Sequence, residues 1–183
     1  WWLNYQRYFR HKPFYKLNAS AFAAADHRKL HTYEGRCYRW GYFTAVPEKN
    51  ELEASLDVST SGIAPTFMWC ARFLKWKHPE LPVLMAEKLR QKGHRFVIDF
   101  YGSGEEEAST RALASHLGLE DCINFLGAVP NEQVLQAMRQ HDIFLFTSDS
   151  NEGWGAVANE SMSQGCVLVG SDAIGSIPFL VKH

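Results

Sequence analysis

From residue 66 onward the chain alternates short apolar runs with stretches of helical spacing. The runs "TFMWC" (66–70), "RFVIDFYG" (95–102), "CINFLG" (122–127), "DIFLFTS" (142–148) and "CVLVG" (166–170) have the length and the aromatic and β-branched content of strands. Between them, "PVLMAEKLRQKG" (82–93), "EEEASTRALASHLG" (105–118), "NEQVLQAMRQ" (131–140) and "WGAVANESMSQG" (154–165) carry apolar residues at helical spacing. Their ends agree: a proline suited to a first turn with Gly93 as a stop, acids opening 105–118, and Asn131 as an N-cap. Strands apolar on both faces, separated by helices, predict an α/β fold with a doubly wound, Rossmann-like parallel sheet covered on both sides. In such a sheet the binding crevice lies beyond the carboxyl ends of the strands. The loops after Cys70, Tyr101, Leu126 and Ser148 are therefore where chemistry is expected.

Residues 1–60 follow no such pattern. "LNASAFAAADHRKL" (17–30) suggests a helix and "CYRWGYF" (37–43) a strand, and the polar, acidic "PEKNELEASLD" (47–57) reads as a linker. The turn "GSIP" (175–178) comes shortly before the end with no closing helix predicted, and both ends read as cut. Charge separates the two parts. Residues 1–46 hold eight Lys/Arg against Asp26 and Glu34, a net +6, while the other 137 residues hold 11 against 18, a net −7. A basic, aromatic segment is a feature of nucleic-acid and membrane-surface binders. This one lacks both a nucleic-acid motif and amphipathic helical spacing, so it reads instead as the exposed part of a neighbouring domain. Cys37, Cys70, Cys122 and Cys166 form no CxxC or Cys/His cluster, which argues against a disulfide framework or a zinc site. His27 and His31 have the i,i+4 spacing of two metal ligands, but Arg28 and Lys29 lie between them and no third ligand is evident. No metal is expected.

"FTSDSNEGWGAV" (146–157) joins a strand to a helix through two glycines. Gly153 and Gly155 let the backbone approach a ligand, and a helix opening near Trp154 or Ala156 directs free N–H groups and a positive dipole end at an anion. Glu152 and Glu160 flank this turn. A carboxylate accepts a separate O–H at each oxygen, so Glu152 suits sugar hydroxyls and Glu160 the 2′- and 3′-hydroxyls of a ribose. The alternatives are that Glu152 caps the helix and Glu160 is a solvated face residue. In "CARFLKWKHPE" (70–80), Arg72 and Lys77 suit a diphosphate, with Lys75 as a competitor and surface cations as the plainer reading. "YGSGEEE" (101–107) begins like a dinucleotide fingerprint, but Glu107 occupies the third glycine position and three acids would repel a phosphate. That argues against NAD, although Gly102 still leaves a ligand room.

Taken together, these stretches resemble the donor-binding half of GT-B glycosyltransferases, specifically retaining family 4, the glycosyl transferases group 1 domain. The resemblance runs from Phe67 to Val181 and rests on an ordered series. "ARFLKWKHPE" resembles the family's G-R-L-x-x-x-K-G, and "VIDFYGSGEE" its strand plus G-x-G-P. "GLEDCINFLGAVPNEQV" resembles G-L-x-x-x-V-x-F-L-G-x-V-P-x-x-x-L. "EGWGAVANESMSQGCVLVGSD" resembles E-G-F-G-x-x-x-x-E-A-M-A-x-G-x-P-V-V-x-S-D, whose paired glutamates match Glu152 and Glu160. Departures are Ala71 and His78 where the family has glycines, and "IGSIP" followed by Phe179 where it has G-G-x-P-E.

The resemblance implies sugar transfer from a nucleotide-sugar with retention, needing no cofactor and no metal. It implies Glu152, Arg72 and Lys77 as catalytic groups, and Glu160, Gly153, Trp154, Gly155, Gly102 and Val129 as donor-binding ones, with Leu126–Val129 presenting backbone to the base. Residues 1–60 would be the tail of an N-terminal acceptor domain with its linker, and 61–183 the nucleotide-sugar-binding domain, truncated at its C-terminus. The implied partners are a nucleotide-sugar donor, a glycan or lipid-linked acceptor and the missing acceptor-binding domain, with no nucleic acid. The implied setting is bacterial polysaccharide or glycan assembly in the cytoplasm, peripheral to the inner membrane face. The rival readings are an epimerase or phosphorylase of the same architecture, or a non-catalytic nucleotide-binding module.

Overall fold

A computed structural model describes residues 1–46 and 64–181. The expected linker at 47–57 lies outside the described residues. Five parallel strands form the central sheet: β3 (Thr66–Cys70), β4 (Val97–Tyr101), β5 (Ile123–Gly127), β6 (Ile143–Phe146) and β7 (Val167–Gly170), in the order β5-β4-β3-β6-β7. The helices between them are α3 (Glu80–Gln91), α4 (Glu107–His116), α5 (Asn131–Met138) and α6 (Ala156–Ser163).

Period-two alternation along each strand sorts the core into two layers. Phe67, Trp69, Ile98, Phe100 and Leu145 pack with Val83 and Ala86 of α3 and Ala114 of α4. Met68, Phe144 and Phe146 point the other way, into Val134, Ala137 and Met138 of α5 and Ala158 of α6. One helix pair thus covers each face. Fully buried side chains such as Phe100 and Phe144 contribute about 1.5–3 kcal/mol each. The outer face of the edge strand β7 departs from the expected two-sided burial, with Val167 63% and Val169 50% exposed. A strand at the end of the order has a neighbour on one side only, so a helix over its inner neighbours need not reach its outer face.

Several elements are shorter than their apolar patterns, whereas β3 matches its run and α3 begins at Glu80, two residues ahead of its pattern. Asn131 is the first helical residue and does not cap α5. Pro130 takes that place, its carbonyl accepting from Gln133 and Val134 at 3.0 and 3.1 Å. A single-turn helix, α7 (Ile177–Leu180), follows "GS" where no helix was expected, because Pro178 suits a first turn as well as a loop.

Residues 1–46 hold α1 (Trp2–Asn4), continued as a π-turn over Tyr5–Phe9, then β1 (Lys16–Asn18), α2 (Ala23–Lys29) and β2 (Cys37–Arg39) paired parallel to β1. The predicted helix at 17–30 is therefore shorter, with Leu17 and Asn18 in a strand. The opening helix lacks a regular apolar face because aromatic side chains hold it. The buried Tyr5 hydroxyl accepts from the Tyr33 amide at 2.7 Å and from Arg36 at 3.0 Å, and the Trp2 indole donates to Leu30 O at 2.8 Å.

Candidate functional site

The strands run outward in both directions from the adjacent pair β3 and β6, so the loops after these two diverge and leave a crevice between them. Short hydrogen bonds tie the loop bases together. Thr147 Oγ1 donates to Lys77 O at 2.7 Å and accepts from the Trp69 indole at 2.9 Å, and the Asp149 amide donates to Trp76 O at 3.0 Å. The apolar strands fix the loop ends, and these bonds fix the loops to each other.

In this frame Lys77 meets Glu152. The Lys77 ammonium donates to Glu152 Oε2, and the side chains are only 15% and 12% exposed. The buried Ser148 hydroxyl donates to the same carboxylate oxygen at 3.2 Å. Lys77 Nζ also lies 4.3 Å from the Trp76 ring centroid and 5.9 Å from that of Phe146. Glu152 is thus committed to Lys77 and Ser148 and does not cap α6, which no side chain caps. Among the described residues no side chain takes up the amides of that helix start, as an anion site requires.

Gly155 is the N-cap of α6 at φ +74, and a Cβ there would overlap the Phe146 ring. Only glycine places the helix start this close to the strand end. Gly153 has open space around its α-carbon. Glu160, one turn into α6, is half-buried, and its carboxylate has no hydrogen bond or ion pair with the described residues. Burial pushes its pKa up. Burial first, and then the Glu160 charge, raise the thiol of Cys70 at the end of β3 to about 11. Glu160 is therefore partly withdrawn from solvent and near enough to the end of β3 to act on the Cys70 thiol.

The other expected site residues occupy varied surroundings. Arg72 lies two residues beyond β3, is exposed and makes no side-chain ion pair among the described residues. Lys75 lines a separate cavity of about 380 Å³ with His78, Glu80 and Glu106, so Lys77 is the lysine that reaches Glu152. Gly102, at φ +129, is pressed against the Ala71 carbonyl, and its amide donates to Gly127 O at 2.8 Å. Its missing side chain gives room to the chain's own backbone. Val129 packs on the layer containing Phe146. The Trp154 side chain is buried away from the crevice, stacked on Tyr42 at 5.9 Å and donating to Asn159 Oδ1 at 2.7 Å.

Several supports were not expected from the sequence. Asn159 donates to Tyr42 O at 3.3 Å, the Ala21 amide donates to Gly175 O at 2.8 Å, and the Gly175 amide donates to Glu152 O at 3.2 Å. Residues 20–42 therefore brace the turn that carries Glu152. Ser148 was within reach of sequence reasoning, since it ends the run "DIFLFTS" that feeds the site; Tyr42, over a hundred residues from its partner, was not. His27 and His31 are engaged by Thr32 at 2.9 Å and Glu34 at 3.2 Å. Among the described residues no group of three His, Cys, Asp or Glu is placed to hold a metal, and the four cysteines are free.

A five-stranded parallel sheet with its crevice at the β3/β6 divergence defines a Rossmann-like domain of the GT-B glycosyltransferase kind. The chain belongs to the family "Glycosyl transferases group 1", whose model matches residues 61–183. It is 32% identical over 100 residues to "Amylovoran biosynthesis glycosyltransferase AmsK" of Erwinia amylovora, covering 52% of this chain and 24% of that protein. Its fold is similar to the apo lipopolysaccharide outer core galactosyltransferase WaaB, with TM-score 0.72, 18% identity and coverage of 92% of this chain and 46% of that one. It is also similar to Anabaena Alr3699/HepE in complex with UDP, with TM-score 0.71, 16% identity and coverage of 91% and 47%. The chain spans about a quarter of AmsK and about half of the two solved proteins.

Proposed function

We propose that this chain is the donor-binding half of a retaining, metal-independent glycosyltransferase that takes its sugar from a nucleoside diphosphate. The observation that carries the reading is the mostly buried Lys77–Glu152 pair, set beside a helix start that no side chain caps and a Glu160 carboxylate one turn further on that has no partner, both among the described residues. Cations and amides gather where a diphosphate would leave, and carboxylates where hydroxyls would sit.

On donor binding, Lys77 exchanges Glu152 for the diphosphate, Arg72 adds a planar fork and the α6 amides complete the anion site. Glu152, released from its ammonium, accepts from hydroxyls of the sugar, and Glu160 accepts from the ribose. Gly153 and Gly155 give the backbone access, with Trp154 holding the turn from behind. Gly102 and Val129 set the loops against which the base lies. As the glycosidic bond breaks, negative charge grows on the leaving diphosphate, and preorganised dipoles and fixed cations stabilise it without reorganisation. That electrostatic set takes the place of a divalent ion. The HepE structure contains UDP, which supports the donor class.

The acceptor is a growing polysaccharide or lipid-linked glycan, bound by a further domain, with the whole protein working in the cytoplasm against the inner membrane face. No helix among the described residues is long and apolar enough to cross a membrane. Calorimetric titration with UDP, GDP and ADP tests the reading. One of them binds the wild type, and Glu160→Ala weakens that binding by about 1.5–3 kcal/mol, the worth of a hydrogen bond to a charged group. No binding by any of the three, or an unchanged affinity in the variant, refutes it.

A further inference from the structure

His78 stands in the left-handed region, at φ +49 and ψ +57, directly before Pro79. A non-glycine residue there is strained, and such positions persist where the surroundings hold them. The surroundings are two carboxylates from different elements. Nδ1 lies 2.8 Å from Glu80 Oε1 at the start of α3, and Nε2 lies 3.7 Å from Asp149 Oδ2 in the loop after β6. His78 follows Lys77, and Asp149 lies three residues before Glu152, so the imidazole bridges the two loops whose side chains form the Lys77–Glu152 pair.

The ring's chemistry sets when the bridge is complete. Carboxylate oxygens only accept, so each ring nitrogen must carry a proton to satisfy its neighbour. A neutral imidazole has one N–H and turns a bare nitrogen toward the other carboxylate; an imidazolium donates to Glu80 and faces Asp149 as an ion pair. Lys75 and Glu106 line the same cavity as His78 and Glu80, and Lys77 is committed to Glu152. Asp149 is independently anchored, its Oδ1 accepting from the Asn151 amide at 2.8 Å.

We infer that His78 is a positioning residue, a clamp between Glu80 and Asp149 that holds the Lys77 loop against the Glu152 loop and closes fully when the imidazole is protonated. This rests on the nucleotide-binding reading above, so its test has one arm that needs no nucleotide. In the free 183-residue chain, His78→Gly relieves the backbone strain and removes the clamp. The Asp149 amide, which donates to Trp76 O across the two loops, then exchanges with solvent about three- to tenfold faster at pH 6, while the amides of β3 and β4 are unchanged. His78→Asn, whose side chain tolerates the left-handed region but carries no charge, does not restore the protection at pH 6.

In the second arm UDP is titrated into wild type and His78→Gly at pH 6 and pH 8. The ratio of the two dissociation constants cancels the titration of the nucleotide itself. That ratio is larger at pH 6, by about threefold or more. Unchanged Asp149 exchange, or a ratio equal at both pH values, overturns the clamp. If wild type binds no UDP, the donor assignment fails for this nucleotide and the clamp stands or falls on the exchange arm.

Discussion

Replacing Lys77 by methionine keeps the length of the side chain and removes its charge, leaving Glu152 in a pocket where it is only 12% exposed. Exposed ion pairs contribute about 0–1 kcal/mol, whereas removing one partner of a fully buried pair costs about 3–5 kcal/mol. The Lys77–Glu152 pair lies nearer the buried limit, and the Ser148 hydroxyl stabilises what is left of the carboxylate. Lys77→Met therefore costs about 2–4 kcal/mol. Glu152→Gln, which leaves the ammonium facing a neutral amide, costs about the same or slightly less. The double variant has no unpaired charge, and the side-chain amide introduced by Glu152→Gln still accepts from Ser148. Its stability returns to within about 1 kcal/mol of wild type, so the two single losses are far from additive. Urea unfolding of the four proteins, followed by circular dichroism at pH 7, measures this directly. Single-variant losses below about 0.5 kcal/mol, or losses that add in the double variant, would show that the pair is a solvated surface contact.

Gly155→Ala adds a methyl group that meets the Phe146 ring at a residue with φ +74. It destabilises the chain by about 2–5 kcal/mol, from about 1–2 for the left-handed backbone and 1–3 for overpacking, and thermal or urea unfolding checks the loss. A second site answers to pH. His141 Nδ1 donates to Ala137 O at 2.6 Å and Nε2 to Asp99 Oδ2 at 3.1 Å, an arrangement that requires the protonated ring. Burial pulls His141 down, but the hydrogen bond to Asp99 and the neighbouring carboxylates outweigh it and its pKa is raised. Burial pushes Asp99 up, but bonds from His141 and Asn124 outweigh that and its pKa is lowered. The histidine's contribution is complete below about pH 6.5 and is lost as pH rises through its folded value. The aspartate's is complete above about pH 3.9 and is lost as pH falls through its folded value. Asp99→Asn accordingly costs more at pH 5 than at pH 9, by about 1–2 kcal/mol in urea unfolding; an equal cost at both values would contradict the assignment.

Much of the central domain was legible in its pattern because strand and helix periods report burial directly. Phe67, Trp69 and Phe100 alternate with residues that face the other layer, and helix stops such as Gly93 fall where the chain turns. The Glu152–Glu160 spacing was legible too, since the two acids flank a glycine turn between a strand and a helix. Which cation faces Glu152 was not. By charge and local spacing alone Lys75 and Lys77 are equivalent, with the family resemblance favouring Lys77, and the short helical turn at Lys75–Lys77 turns one toward the crevice and the other away. The brace from Tyr42 and Ala21 was also invisible, since tertiary stacking over more than a hundred residues leaves no local period. Gly102 shows a related ambiguity: a glycine marks a close approach, but not whether the approaching group is a ligand or the chain's own Ala71.

The most direct test of the proposed donor site is to titrate UDP into the ¹⁵N-labelled chain and follow its backbone amides. The account predicts shifts concentrated at Lys77, Gly153–Val157, Glu160 and Gly127–Val129, around the tips of β3, β5 and β6. Saturable shifts centred instead on the outer face of β7 or on residues 1–16, with those amides unmoved, would contradict it.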